Sequence, residues 1–292
     1  MKTEDLPMGV RTGFGLGYHS VSDWLIYGLL LIGGALFLLP FVWMISTSLK
    51  EPGDVFIYPP KWIPDPPRWK NYSDVITEWP LIQYVWNTSW VTGMTILGSL
   101  ISCSAAGYSF ARLCWRGRDL LFIVSLATLM LPVQVTMIPT FSIFVFLGWI
   151  DTLLPLYVPA FFGNAFFIFL FRQFFRTLPT ALEDASRIDG CGFLGTFWYV
   201  ALPLARPAMI TVTIFAFMGA WNDFMGPLIY VSSESKRTLA LALSFYQNYF
   251  YSGVYLHTLM AASTLVLIPC IVVFVLFQSY FIEGMVMSGM KN

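Results

Sequence analysis

The sequence predicts an all-α integral membrane protein with six transmembrane helices and a short cytoplasmic helix between helices 4 and 5. Of the 292 residues, 57% are apolar and 11% are charged, whereas soluble domains carry about 25% charged residues. The charged residues are also separated by uncharged stretches, and a membrane helix needs about 20 mostly apolar residues. This composition excludes a soluble enzyme, a disordered chain and a basic nucleic-acid binder.

Six apolar stretches define the predicted spans. The first is too long for the apolar region of a signal peptide, so we expect an uncleaved helix. The third contains two prolines, and the fifth continues past an aspartate. The predicted spans are residues 25–45, 85–111, 120–140, 153–172, 205–231 and 259–282.

The basic residues predict the orientation. With the N-terminus inside, ten of them lie in internal connections and six in external ones, which places both termini in the cytoplasm. Residues 1–22 then form a cytoplasmic tail, and residues 23–292 form a single transmembrane domain. Residues 46–84 form a proline-rich external loop, and residues 173–204 form the most polar internal connection.

The internal connection 173–204 predicts a short helix. Thr180 and Glu183 have the spacing of a capping box, and Pro179 suits the start of a helix. Gly190 is a stop signal. The apolar residues share one helical face, which contains Leu178, Ala181, Leu182, Ala185 and Ile188. A helix this short is marginal alone in water, so its apolar face needs cover from its own spans or from a groove on another protein.

This connection carries a motif that resembles a known family. The block Asp184-Ala185-Ser186-x-x-Asp189-Gly190 is followed, after nine residues, by Val200-Ala201-Leu202-Pro203. It is similar to the EAA loop of ABC importer permeases, in which Glu-Ala-Ala and a glycine precede Ile-x-Leu-Pro at the same spacing. Asp184 replaces the glutamate, Ser186 the second alanine and Val200 the isoleucine, and the shorter Asp184 can change the geometry of a contact.

Four further segments narrow the resemblance to carbohydrate permeases of the maltose class. They are residues 39–50, 131–139, 220–228 and 281–291, so the likeness covers almost the whole chain. The chain most resembles the second, six-helix permease of such importers.

The resemblance implies the partners. A second permease would form a heterodimer with this chain, and two ATP-binding cassette ATPase subunits would use ATP and Mg. An extracytoplasmic solute-binding protein would deliver the sugar. The implied location is the bacterial or archaeal cytoplasmic (inner) membrane. The chain itself would be no enzyme and would bind no cofactor or metal, and its sequence has no GxxxxGK[ST] phosphate loop.

The resemblance also implies which residues contact the ATPase. The expected ATPase-coupling residues are Glu183, Asp184, Ala185, Ser186, Asp189, Gly190, Leu202 and Pro203.

Polar residues inside the predicted spans are candidates for the translocation path, because such residues are costly in lipid and usually face a bundle interior or a cavity. They are Gln134, Thr136, Asn164, Asn222 and Asp223. The alternative for Asn222 and Asp223 is a hydrogen bond to a neighbouring helix. Small residues recur along the second span and predict close helix packing, namely Gly98, Ser102, Ala106, Cys103, Gly107 and Ala111.

Other functions remain open from the sequence. A permease for glycerol phosphate or a polyol-like solute is one alternative, although no Lys or Arg lies in the interior of a predicted span away from its ends, which favours a neutral sugar. An ion-coupled secondary transporter would need charged groups near mid-membrane. An intramembrane enzyme would need a His/Asp/Glu constellation at membrane depth, and the two histidines are far apart in the sequence.

Overall fold

The computed structural model describes residues 21–249 and 255–289, with side chains for residues 24–246 and 255–278. All regular elements among these residues are helical. The α-helices are α1 (Val21–Ser48), α2 (Lys70–Glu78), α3 (Leu81–Arg112), α4 (Arg118–Ala127), α5 (Val133–Phe146), α6 (Leu154–Tyr157), α7 (Ala165–Thr177), α8 (Thr180–Ile188), α9 (Phe193–Thr196), α10 (Leu202–Leu204), α11 (Arg206–Trp221), α12 (Met225–Tyr230), α13 (Leu239–Tyr249) and α14 (Leu256–Gly289). The predicted tail 1–22 lies almost wholly outside the described residues.

Four helical segments are long and apolar enough to cross a membrane. They are Trp24–Ser48, Leu81–Arg112, Leu154–Thr177 and Leu256–Gln278. Two bent helix pairs pass the same test, so the described residues hold four spans, or six if each pair is one span. The helical membrane architecture is therefore confirmed, while the number six stays a prediction. The second span begins at Leu81 and so takes in the end of the predicted external loop.

The first bent pair corresponds to the predicted span 120–140. A 3₁₀ turn extends α4 to Met130, and α5 then leaves at 104°. The bend lies at Leu131, whose ψ of 122° is extended because a residue before proline is disfavoured from the helical region. The predicted span 120–140 is therefore wrong in two respects. It is broken before Pro132, and its second half continues to Phe146.

The second bent pair joins the end of the predicted internal connection 173–204 to the start of the predicted span 205–231. The helical segment Phe193–Leu204 meets α11 at 75° around Ala205. Pro207 explains the bend, because it has no N–H to donate and its ring crowds the carbonyl of Pro203. The predicted continuous helix is wrong here as well, since α11 ends at Trp221 and α12 begins at Met225.

The predicted close packing along the second span is confirmed. A Cβ on Gly107 would lie 2.5 Å from the Cβ of Phe171 and 3.0 Å from the backbone nitrogen of Arg172, so α3 and α7 touch through their backbones. Gly98 meets the ring of Phe161 in the same way. Ser102 Oγ also donates a hydrogen bond of 2.9 Å to the Ala160 carbonyl. Small residues thus let these helices approach closely without a hydrophobic driving force.

A polar cluster joins two connections at the other end of α3 from α8. The Asp151 carboxylate accepts hydrogen bonds from the Ser233 hydroxyl and from the amides of Ser232 and Ser233, and it also pairs with Lys236 at 3.2 Å. These hydrogen bonds, first that of the Ser233 hydroxyl, hold the pKa of Asp151 well below its ordinary value. Asp151 therefore fixes the 3₁₀ turn Glu234–Lys236 against the loop after α5.

Candidate functional site

The short helix predicted in the internal connection is α8, and its end matches the prediction. The Gly190 amide bonds to the Arg187 carbonyl at 3.0 Å, and the Cys191 amide bonds to the Ser186 carbonyl at 2.9 Å. This pair of bonds is a Schellman motif, and it needs a left-handed residue. Gly190 has φ +86°, a conformation that glycine adopts without steric cost.

The start of α8 differs from the prediction. Pro179 is the cap residue and Thr180 is already the first helical residue, so no side chain caps the amides. The predicted capping box is therefore wrong. Glu183 instead pairs with Arg112, the last residue of α3, at a distance of 3.1 Å between Oε1 and Nε. The two side chains keep 13% and 10% of their surface exposed.

Polar contacts hold the inner face of α8. Arg112 also donates a hydrogen bond to the Leu178 carbonyl, just before α8. The Ser186 side chain is 5% exposed, and its hydroxyl lies 2.8 Å from the hydroxyl of Thr196 in α9. Two predicted coupling residues, Glu183 and Ser186, therefore face their own chain, where they hold α8 in place.

The outer face of α8 is exposed. Leu182 is 41% exposed and Ile188 is 87% exposed, and Ala185 between them is exposed as well. Asp184 and Asp189 reach the same solvent-facing surface. The ends of the chain's own spans therefore do not cover the apolar face, contrary to one of the two possibilities left open by the sequence.

Exposed apolar residues extend this surface beyond α8. They are Phe193, Leu194, Trp198 and Tyr199. The segment that carries them includes a π-helical stretch, Phe197–Ala201, before the predicted coupling residues Leu202 and Pro203. Leu202 is half-buried and Pro203 is exposed. Such π-helical insertions are frequent at functional sites, and this one leads directly into the bend at Ala205.

The predicted path residues lie at breaks in membrane helices. Gln134 and Thr136 are exposed in the first turn of α5, just after the break at Pro132. Asn164 precedes α7, and its Oδ1 accepts hydrogen bonds from the amides of Phe166 and Phe167 at 3.0 and 3.2 Å.

Asn222 and Asp223 lie in the break between α11 and α12. Asp223 Oδ1 accepts the Gly226 amide at 3.1 Å, and Asn222 Nδ2 donates to the Met218 carbonyl at 2.9 Å. The bond of Asp223 stays within its own segment, whereas the Asn222 side chain also hydrogen-bonds to Cys270 on α14, so the predicted alternative of a bond to a neighbouring helix is supported for Asn222. The five residues are thus brought to three helix breaks, where backbone polar groups become available to a solute.

Sequence reasoning missed Arg112 and Thr196 as residues of the site. In the sequence, Arg112 is one of several basic residues at an internal connection, and no spacing distinguishes Thr196. A signal existed for Arg112, because an arginine in the last turn of a helix interacts favourably with the helix dipole. The pairing with Glu183 depends on where α8 returns to α3, which is a property of the folded chain.

Comparisons with known proteins agree with this architecture. The family model described as "binding-protein-dependent transport system inner membrane component" matches residues 98–286. The arabinooligosaccharides transport system permease protein of Halalkalibacterium halodurans is 31% identical over 85% of this chain and 86% of the relative. The sn-glycerol-3-phosphate transport system permease protein of Yersinia pestis is 32% identical over 89% of this chain and 94% of the relative.

The fold is also that of a solved transporter chain. A crystal structure of a bacterial ABC transporter involved in the import of the acidic polysaccharide alginate contains a chain with a TM-score of 0.79 and 24% identity. The alignment covers 90% of this chain and 99% of that chain.

These findings define the class as a multi-pass membrane permease, a transport subunit and not an enzyme. The chain belongs to the family of inner membrane components of binding-protein-dependent transport systems. The resemblance to carbohydrate-type ABC importer permeases, predicted from the sequence, is confirmed. Membership in this family argues against the ion-coupled transporter and the intramembrane enzyme.

Proposed function

We propose that this chain is one of two permeases that form the translocation path of an ATP-driven sugar importer. The second permease pairs with it as a heterodimer, and an extracytoplasmic solute-binding protein delivers the sugar. Two ATPase subunits bind ATP and Mg²⁺, and this chain binds no nucleotide or metal. Both termini lie in the cytoplasm of a bacterium or an archaeon, on the same side as α8.

The observation that carries the coupling proposal is the division of α8 into two faces. The inner face is fixed by the Arg112–Glu183 ion pair and by the Ser186–Thr196 hydrogen bond. The outer face exposes apolar residues that the chain does not cover, such as Ile188. A short helix with this arrangement suits a groove on a soluble partner, because the partner buries the apolar stripe while the permease holds the polar side.

The contacts of α8 also provide two routes for a movement into the membrane. One route runs through Glu183 and Arg112 to the end of α3. The other runs through Ser186 and Thr196 to the helical segment 193–204, and from there through the bend at Ala205 to α11. A displacement of α8 by the ATPase therefore tilts α3 and α11, which changes access to the path. Asp184, Ala185, Asp189 and Gly190 form the contact with the ATPase.

Cross-linking tests the docking of α8. In the assembled complex, with the surface cysteines Cys114 and Cys191 replaced by serine, Ile188→Cys should cross-link to the ATPase subunit. Ser186→Cys is the matched control, because position 186 lies two residues away and is buried. Cross-linking at both positions, or at neither in a complex that still assembles, contradicts the proposal.

The helix breaks support a path through the five polar residues, and the relatives suggest its cargo. A neutral oligosaccharide is the first candidate, because one relative is an arabinooligosaccharides permease. Glycerol phosphate is the second, because another relative is an sn-glycerol-3-phosphate permease. Calorimetry on the cognate solute-binding protein, followed by uptake into proteoliposomes with the complete complex, distinguishes the two. Uptake of glycerol phosphate without uptake of any oligosaccharide supports the second candidate and overturns the first.

A further inference from the structure

A cluster of arginines lies beside the contact that holds α8 but takes no part in it. Arg118 is the first residue of α4, and Arg172 and Arg176 lie one turn apart on α7. Asp119 interacts with the charges of all three arginines, so they share one region. Asp119 is already satisfied, because Arg118 donates to both of its oxygens at 2.9 and 3.2 Å. Three cations against one carboxylate leave the cluster positive.

The side chains of two of these arginines are held in place by the chain itself. The guanidinium of Arg172 stacks 3.9 Å from the centre of the Phe122 ring, and its Nε donates to the Phe110 carbonyl at 3.3 Å. Arg118 donates to the Leu113 carbonyl at 3.2 Å. Arg118 is also paired with Asp119, whereas Arg172 is held only by a ring and a backbone carbonyl, so the positive charge of Arg172 is fixed in position and remains available to an anion.

A cavity of about 370 Å³ opens at this cluster. It is lined by Cys114, Trp115, Gly117, Arg118, Asp119 and Leu120. Below it, the α4 residues Leu120, Leu121 and Ile123 are exposed in a segment that is apolar enough to cross a membrane. Trp115 also lines the cavity and donates its indole N–H to Ser109 Oγ at 3.2 Å, and tryptophan is enriched where a membrane meets water.

We propose that this cluster binds the phosphate headgroup of an anionic phospholipid. The arginines supply forked donors that suit phosphate oxygens, and the exposed face of α4 lies where the acyl chains run. The exposed apolar face of α4 favours a lipid over a free phosphate ion, because a free ion would use only the positive charges and would leave this apolar face uncovered. It also favours a lipid over a soluble subunit, because the exposed apolar residues of α4 belong to a segment that is apolar enough to cross a membrane. The bound lipid neutralises the cluster and fixes the α3–α4 connection against α7.

Native mass spectrometry of the complete transport complex tests the proposal with phosphatidylglycerol and phosphatidylcholine as probes. The wild type should prefer phosphatidylglycerol. Arg172→Gln with Arg176→Gln should weaken phosphatidylglycerol binding about thirtyfold, since each basic residue near an anionic surface contributes roughly fivefold. Arg206→Gln is the matched control, because Arg206 is an exposed arginine at the start of α11 outside the cluster, and it should change the affinity less than about twofold.

Further measurements distinguish lipid binding from effects of packing, a free anion or a soluble subunit. Arg172→Lys with Arg176→Lys keeps the charges and should keep binding within about threefold; a loss as large as in the glutamine variant would assign the effect to packing and overturn the proposal. Inorganic phosphate at equal concentration should not displace the lipid, and displacement would assign the cluster to a free anion. Loss of ATPase assembly in the glutamine variant, with lipid binding unchanged, would assign the cluster to the soluble subunit.

Discussion

Removing the negative charge of Glu183 should loosen α8 from the end of α3. The charged atoms of Glu183 and Arg112 are 3.1 Å apart and their side chains are 13% and 10% exposed. At an effective dielectric constant of about 20, their attraction is about 5 kcal/mol, of which desolvation cancels a large part. Because Glu183→Gln leaves Arg112 nearly buried without its counter-charge, and because breaking a fully buried pair costs roughly 3–5 kcal/mol, we expect a cost of about 2–3 kcal/mol.

Amide hydrogen exchange of the peptide 178–191 measures this cost, with the permease reconstituted in lipid nanodiscs without the ATPase. A loss of about 2–3 kcal/mol speeds exchange roughly thirty- to 150-fold. Arg112→Gln should cost about 1 kcal/mol more, because it also removes the hydrogen bond to the Leu178 carbonyl. Asp184→Asn is the matched control, because Asp184 is the adjacent carboxylate but is exposed, and it should change exchange less than about twofold.

The double variant Arg112→Gln/Glu183→Gln decides whether the two residues act as a pair. If they do, its cost is smaller than the sum of the single costs by about 1–3 kcal/mol. Strict additivity, or a Glu183→Gln effect equal to that of Asp184→Asn, would refute the assignment of Glu183 to the inner face of α8.

Three further outcomes follow from the packing and the connections. Gly107→Ala should lower thermal stability by about 1–3 kcal/mol, because its Cβ meets the backbone of α7; Gly93→Ala, at an open position of the same helix, should be neutral or stabilising in the same melting experiment. Gly190→Ala should destabilise the end of α8 by about 1–2 kcal/mol, because alanine is strained at the positive φ of this position. No atom lies near the new Cβ, so a steric clash adds nothing. Faster amide exchange of the peptide 178–191 checks this expectation. Asp151 has a lowered native pKa, so it stabilises the loop 231–236 above about pH 4 and this contribution is lost as the pH falls further. Proteolysis of this loop should therefore increase towards pH 3 in the wild type, relative to pH 6, and Asp151→Asn should show little further change; an equal pH response in both would contradict the role of Asp151.

The spans and the site were predictable to different degrees. The apolar stretches predicted where helices lie, because a membrane imposes a minimum length of apolar sequence that is visible without any tertiary contact. The end of α8 was predictable for a similar reason, since Gly190 satisfies a local backbone requirement. The bends of 104° and 75° were not, although Pro132 and Pro207 mark them. A proline tells where a helix can break, but the angle depends on what the two halves pack against.

The sequence by itself determined the helical membrane architecture, the position of α8 and the close packing of α3 on α7, because each depends on composition, spacing or side-chain size within one segment. The tertiary structure decided which face of α8 is held and which is left open. The spacing of residues in α8 showed an apolar face and a polar face, and either of them could in principle face the rest of the chain. The inward side is the polar one because Arg112 and Thr196, from other segments, supply partners for Glu183 and Ser186, and a nearly buried polar group remains in place only where such partners exist.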